Sequence, residues 1–278
     1  MIKRRPHLVT VAVGLLLCLS GVALGQVKAP DPKAVVEQMV SRYAGLSSYQ
    51  DTGFVQALPG ESLLAGSPAP ARLAGVTSGG QNLVTFRTYF ARPRRFRFEW
   101  KSSDMAGPRE AAVWSDGRRD FSWLPNHAAE GGGFTLYGGA DLRFNVGEAQ
   151  RSSGGAVFFV PSLLMKGLDY VPFGEMLSSM TGLSLVKEEQ VDGETCHVVS
   201  GKMYGTPWVL WVGKESRLLR KTRTLYTSAS FHETLEKGRV TAHVAEEIHR
   251  DIRINGNIPG EVFRRKPQIR EGDIDLTR

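Results

Sequence analysis

Aromatic and charged residues alternate along one segment of the chain, 95–100. Its aromatic members are Phe96, Phe98 and Trp100, and the residues between them are charged. Because alternate side chains of a strand point to opposite faces, the pattern predicts a strand with one apolar and one solvated face. Two more short strands follow around the Asp-Gly turn at 116–117. Together they predict a curved antiparallel sheet whose concave side is lined by aromatic residues and suits an apolar ligand.

Helical spacing dominates the segment before these strands. Asp31 suits an N-cap and Pro32 the first helical position. Apolar residues then recur every three or four positions, at Val35, Val36, Met39, Val40, Tyr43 and Leu46. The segment 58–81 is rich in Gly, Pro and Ala and predicts a long loop or an insertion. From Leu183 onward, alternating segments between turns predict a β-meander. The simplest fold that buries both apolar faces is a sheet of roughly ten strands wrapped around a helix.

The N-terminal residues indicate export. Three basic residues precede an apolar run over 8–24 and a small-residue cleavage site before Gln26. This pattern predicts a cleaved secretory signal peptide over residues 1–25 and a periplasmic location, with an uncleaved membrane anchor as the alternative. The mature chain then keeps a single cysteine, Cys196, and forms no intramolecular disulfide.

The charge balance argues against a nucleic-acid partner. The full sequence has 35 Lys and Arg against 28 Asp and Glu, a net charge of +7. The predicted signal peptide carries three of the basic residues and no acid, so 32 basic against 28 acidic residues leave +4 for the mature chain. A surplus of this size, spread along alternating strands, is typical of solvated sheet faces and not of nucleic-acid binding.

No motif in the sequence has the spacing of a catalytic or metal site. His243 and His249 lie six residues apart, whereas two metal ligands on one helical face need a spacing of four. On a strand, His243, Glu247 and His249 share one face, and a metal site there is weighed against a solvated strand face. Cys196 and His197 are neighbours and would point to opposite faces of a strand, which does not favour a cysteine nucleophile. We therefore expect no enzyme activity, no metal and no cofactor.

Five short blocks, in a defined order along the chain, carry a family resemblance. They are the helix end over 41–49, the Arg92-Pro93 step with Phe96 and Trp100, the Ser115-Asp116-Gly117-Arg118 turn closed by Pro125-Asn126, the Trp211-Val212-Gly213 and Leu218-Leu219-Arg220 strands, and the closing segment from Ile258-Pro259 through Phe263 to Pro267. Their order and spacing resemble those of periplasmic lipoprotein carriers of the LolA/LolB-like family, the outer-membrane lipoprotein-sorting type. The chain is similar to a divergent member whose cargo is unknown.

The resemblance implies a mainly β fold with helices: an incomplete antiparallel barrel of about 10–11 strands wrapped over the N-terminal helix and short lid helices. It places this half-barrel domain at 26–266 and leaves 267–278 as a charged C-terminal tail. A hydrophobic cavity under the lid would take acyl chains. Arg92 takes the role of a latch that hydrogen-bonds to the lid and holds it closed. The implied cavity wall consists of Phe96, Phe98, Trp100, Trp114, Phe121, Trp123 and Trp208.

The function implied by the resemblance is that of a soluble extracytoplasmic binding protein. Such a protein would hold the acyl chains of a lipid or lipoprotein and carry them, as a monomer, to the outer membrane. An inner-membrane release complex and an outer-membrane acceptor would be its further partners. Two alternatives stay open. One is an envelope sensor or regulatory protein of the same fold that binds a lipoprotein or a membrane protein. The other is a secreted hydrolase whose site has no signature in the sequence.

Overall fold

The computed structural model describes the greater part of the chain from residue 29 onward. The described residues are 29–59, 70–75, 81–102, 109–125, 133–139, 141–153, 156, 159–165, 177, 179–227 and 242–277. The predicted signal peptide and most of the segment 58–81 lie outside these ranges.

Four α-helices and twelve strands make up the described part of the chain. The helices are α1 (Pro32–Ala44), α2 (Pro70–Leu73), α3 (Leu142–Ser152) and α4 (Val160–Met165). The strands are β1 (Ser48–Pro59), β2 (Gln81–Ala91), β3 (Arg95–Ser102), β4 (Arg109–Asp116), β5 (Asp120–Pro125), β6 (Phe134–Gly138), β7 (Thr181–Val191), β8 (Glu194–Met203), β9 (Thr206–Gly213), β10 (Leu219–Thr227), β11 (Ala242–Ile254) and β12 (Ile274–Leu276).

All twelve strands belong to one sheet, in the order β12-β6-β5-β4-β3-β2-β1-β11-β10-β9-β8-β7. Neighbouring strands are antiparallel except β12, which runs parallel to β6. Since β7 and β12 are the two edges and do not pair with each other, the sheet is open. The predicted fold, a mainly β half-barrel with helices, is confirmed, although the described sheet has twelve strands and not 10–11.

The two strands that the sequence did not predict are short. β6 follows a Gly-rich stretch that reads as a loop, yet its residues Phe134 and Leu136 alternate and pack on one face. β12 has only three residues, too few to show a period of two. It lies in the segment 267–278, predicted as a charged tail, and its backbone pairing with β6 attaches that segment to the sheet.

One face of the sheet, the helix face, is covered by α1, α3 and α4. The helices and this face share the largest apolar cluster among the described residues. α1 begins as predicted, because the Asp31 side chain accepts a hydrogen bond from the Lys33 amide at 3.0 Å and Pro32 occupies the first turn. The predicted apolar stripe of α1 is also confirmed, since its buried residues are Val35, Val36, Met39 and Tyr43.

The opposite face, the outer face, carries three smaller clusters. In the first, aromatic residues of β4 and β5 pack together. In the second, α2 packs on β8 to β11, and the Arg223 guanidinium donates to the Leu73 carbonyl at 2.9 Å. The third holds the 3-10 turn Gly260–Phe263 beside β2. The alternation over 95–100 predicted a solvated side for Arg97, but that residue is only 2% exposed because the C-terminal segment covers it.

Candidate functional site

The helix face gathers part of the predicted cavity wall. Phe96, Phe98 and Trp100 of β3 point to this face, as their alternation predicts, and are at most 4% exposed. Trp208 of β9 belongs to the same cluster, where its ring meets that of Phe159 edge-on, with 4.9 Å between ring centroids. Phe159 lies immediately before α4. The rings on the sheet are thus packed against the helical cover.

The other three predicted wall residues lie on the outer face. Trp114 stacks on Phe121 with 5.1 Å between ring centroids, and Trp123 stacks on Phe134 at 5.0 Å. These residues form a cluster of their own, separate from that of the helix face. β4 explains why the sequence did not separate the two sets. Its residues from Ala111 to Trp114 are all buried, so the strand has no polar side to mark its orientation.

Arg92 joins the sheet to the end of α1. Its Nε donates to the Leu46 carbonyl at 2.8 Å and its Nη2 to the Ala44 carbonyl at 2.5 Å. These carbonyls belong to the C-terminal end of the helix and its exit, where backbone oxygens lack partners within the helix and a positive charge is favourable. Among the described residues, the hydrogen bonds of the Arg92 guanidinium go to this end of α1 and not to α3 or α4.

A second polar attachment holds the start of α3, which the sequence did not predict. One carboxylate oxygen of Asp120, on β5, accepts hydrogen bonds from the Leu142 amide at 3.0 Å and from Arg94 at 2.5 Å. A carboxylate at a helix N-terminus is favourable because the first amides have no partner within the helix. The spacing of Leu142, Val146 and Ala149, all buried, was the available signal for this helix.

A line of buried polar residues crosses the helix face between β1 and β11. His249 Nδ1 lies 2.7 Å from Asp51 Oδ2, and His249 Nε2 lies 3.3 Å from Glu247 Oε1. The Tyr49 hydroxyl also donates to Asp51 at 2.7 Å. The sequence favoured a solvated strand face here, and that interpretation is wrong for His249 and Glu247, which are 0% and 6% exposed. Gly53 makes room for the cluster, since a Cβ there would lie 2.2 Å from the Phe86 ring.

The two carboxylates decide the charge of this imidazole. Burial lowers the pKa of His249, but Glu247 and Asp51 outweigh burial and raise that pKa to about 9. Burial also raises the pKa of Glu247 above its usual value, an effect that His249 opposes. A histidine with a carboxylate at each nitrogen is held as a cation and is a poor general base at neutral pH. This cluster of His249, Asp51 and Glu247 therefore gives little support to a hydrolase.

Neither a metal centre nor a membrane-spanning helix is found within the described ranges. No group of three or more His, Cys, Asp and Glu side chains there is placed to hold a metal ion. None of the helices described above is long and apolar enough to cross a membrane.

Comparisons with known proteins found matches among solved structures only. No protein-family model and no curated protein sequence matches the chain. Lipoprotein LppX of Mycobacterium tuberculosis matches at 11% identity and a TM-score of 0.42, over 82% of this chain and 97% of that one. LprF of Mycobacterium bovis matches at 10% identity and a TM-score of 0.43, over 83% and 96%.

A LolA superfamily protein of Nitrosomonas europaea also matches, at 12% identity and a TM-score of 0.30, over 84% of this chain and 98% of that one. The structural neighbours therefore include the class of protein that the sequence blocks resemble.

Titration of the two buried histidines tests the charge of the cluster. We expect His249 to titrate near pH 9 and His197, whose pKa is lowered chiefly by burial, to titrate below 6.5. Ring signals of the two residues in NMR spectra measure both values. Because the folded-state pKa of His249 exceeds its unfolded value, its stabilisation is complete below pH 6.5 and is lost as the pH rises through 9. The difference corresponds to about 3 kcal/mol. A midpoint for His249 at or below that of His197 would contradict the assignment.

Replacement of Arg92 tests the attachment of α1. Arg92→Leu removes two charge-assisted hydrogen bonds, and we expect unfolding to become easier by roughly 1.5–3 kcal/mol. Amide hydrogen exchange at Gly45 and Leu46, which close the last turn of α1, should become faster. Arg118→Leu removes an exposed arginine from the β4–β5 turn and is the matched control. Equal exchange in the two variants would show that Arg92 does not hold this end of the helix.

Proposed function

We propose that this protein binds the acyl chains of a lipid or lipoprotein between the helix face and the helices that cover it. The observation that carries the proposal is the character of α4. All six of its residues, from Val160 to Met165, are buried. Five of the six are apolar, Ser162 being the exception, and a helix that is hydrophobic almost all round is normally enclosed. Here α4 packs against α1 within the cluster of the helix face. α4 is thus the most apolar part of the cover and packs in a space lined by aromatic rings.

The free energy gained by burying the side chains of α4 is similar to that gained by burying an acyl chain in the same space. Burial of Val160, Leu163, Leu164 and Met165 contributes about 1.5–3 kcal/mol for each side chain. An acyl chain gains about 0.8 kcal/mol for each buried CH₂, so a chain that buries about twelve of them gains about 10 kcal/mol. An acyl chain that displaces α4 therefore exchanges one set of apolar contacts for another of comparable size. Such an exchange is reversible, as a protein that loads and unloads cargo requires.

The attachments of the cover suggest which part moves. α1 is held at its C-terminal end by Arg92, and α3 is held at its first turn by Asp120. α4 contributes four apolar side chains to the cluster of the helix face: Val160, Leu163, Leu164 and Met165. Apolar packing has no directional requirement, so an acyl chain can replace these contacts. We infer that α4 leaves the helix face when an acyl chain enters, while α1 stays in place.

The cellular role proposed with this site is that of a carrier in the periplasm. The basic and apolar pattern of residues 1–25 supports export. The buried and paired state of His249 favours a binding protein over an enzyme. Delivery to the outer membrane, with a release complex at the inner membrane and an acceptor at the outer membrane, completes the proposal. The domain limits 26–266 belong to it as well, with 267–278 as the charged C-terminal segment that carries β12.

Two phenylalanines on opposite faces provide the test. Phe96 of β3 belongs to the helix face, whereas Phe121 of β5 belongs to the outer cluster, and both are buried. Each Phe→Ala change is expected to cost about 3–5 kcal/mol of stability. We expect Phe96→Ala to weaken binding of a fluorescent fatty acid at least fivefold and Phe121→Ala to change it less than twofold. Circular dichroism confirms that both variants are folded, and fluorescence titration measures affinity.

The purified wild-type protein provides a second measurement that tests acyl-chain binding. Native mass spectrometry should detect bound acyl lipid that is lost on delipidation. An equal effect of the two variants, together with no bound lipid and no saturable probe binding, would contradict the proposal. Capture of a protein partner by a protein that binds no lipid would favour the envelope sensor instead.

A further inference from the structure

A pocket of about 1000 Å³ lies on the outer face, away from the helices. Its floor is formed by β1 to β4 and its roof by residues 265–273, which we call the C-terminal strap. This volume suits a small molecule. Because the pocket and the helix face are on opposite sides of the sheet, a ligand here would not compete with one beneath α4.

Side-chain hydrogen bonds fix the strap at both ends. At one end, the buried Arg97 donates to the Arg265 carbonyl at 2.6 Å, and its guanidinium lies 4.9 Å from the centroid of the Trp114 ring. At the other end, the Asp273 carboxylate accepts a hydrogen bond from the Phe134 amide at 2.8 Å. The roof of the pocket is therefore held in place by contacts to the sheet.

Positive charge exceeds negative charge around the pocket. Seven basic and four acidic residues line it. Two of the acids are already engaged: Glu99 binds both Arg97 and Arg265 at 2.6 Å, and Asp273 accepts from backbone amides. By contrast, the guanidinium groups of Arg87 and Arg270 have no hydrogen-bond or ion-pair partner among the described residues.

The other two acids are also engaged. Glu110 pairs with Lys101 at 3.3 Å, and Asp251 accepts from the Thr52 hydroxyl at 2.7 Å. Of the other basic residues, Arg250 lies 3.7 Å from Asp192 and Lys266 donates to the Thr277 hydroxyl at 3.1 Å. Arg87 and Arg270, both exposed, therefore supply the positive charge that is available to a ligand.

We propose that this pocket binds a phosphate-bearing ligand, with Arg87 and Arg270 as its anion contacts. Guanidinium groups present two parallel N–H donors that match the oxygens of a phosphate. Aromatic surface is available beside them, because Phe54 and the stacked Trp123 and Phe134 also line the pocket. A phosphate ester that carries an apolar or glycerol portion fits this combination. The phosphate belongs either to a soluble ester or to the headgroup of a phospholipid.

Two double variants with the same change of charge test the proposal. Arg87→Gln with Arg270→Gln removes the two arginines of the pocket. Arg72→Gln with Arg118→Gln removes two exposed arginines outside it and is the control. The probes are glycerol phosphate, followed by NMR amide shifts, and sedimented vesicles of phosphatidylglycerol or phosphatidylcholine. Thermal melting shows that each variant remains folded.

We expect saturable binding of a phosphate probe that the pocket variant weakens at least tenfold and the control less than twofold. Binding of glycerol phosphate assigns the site to soluble esters as well as headgroups. Binding to phosphatidylglycerol vesicles alone assigns it to the lipid headgroup. Equal losses in the two double variants, or no saturable binding of either phosphate probe, would overturn the proposal. Acyl-chain binding at the helix face is measured separately and does not affect this result.

Discussion

Burial of one broad apolar sheet face is the constraint on which the rest of this structure depends. The sheet is open, so it cannot close on itself to hide that face as a complete barrel does. No second sheet is present among the described strands, and α1, α3 and α4 supply the cover instead. Among the described residues, the polar contacts between this cover and the sheet include those of Arg92, Asp120 and Tyr43, whose hydroxyl accepts from the Leu219 amide at 3.2 Å. Such a cover can open without breaking the sheet.

The buried charges of the helix face have the opposite effect, since they fix the strands beneath the cover. Asp51, His249 and Glu247 join β1 to β11 near the middle of the sheet. Loss of one partner from a buried ionic cluster leaves an uncompensated charge and is costly, so the cluster favours a single register between these strands. The protein thus combines a sheet with rigid polar connections and a cover with mostly apolar ones. This division is what an exchange of apolar ligands requires.

The sequence predicted those elements whose two faces differ in polarity. The alternation at Phe96, Phe98 and Trp100 gave the correct orientation of β3, and the spacing from Val35 to Tyr43 gave α1. It did not orient β4, because both faces of that strand are buried and apolar between Ala111 and Trp114. In β5 the polar residues Asp120 and Ser122 are also buried, so polarity does not mark a solvated face there either. It did not reveal α3 either, since Asn145 and Gly147 lower helix propensity.

Contacts between residues from distant parts of the chain could not be predicted from local sequence patterns. The carboxylates beside His249 come in part from β1, about 200 positions earlier, as the hydrogen bond to Asp51 shows. The pattern of β3 alone predicted that Arg97 is solvated. The C-terminal strap, which comes from the end of the chain, buries it. The alternation along a strand shows which of its residues share a face. It does not show which other segments of the chain cover that face.

Hydrogen exchange in α4, with and without a saturating fatty acid, tests the central claim most directly. In the free protein the Leu163 amide donates to the Phe159 carbonyl at 2.9 Å and is buried, so its exchange should be slow. If an acyl chain takes the place of α4, exchange at Leu163 and Leu164 should accelerate on binding, while that of Phe98 in β3 stays slow. Binding of the fatty acid with undiminished protection of α4 would contradict the account.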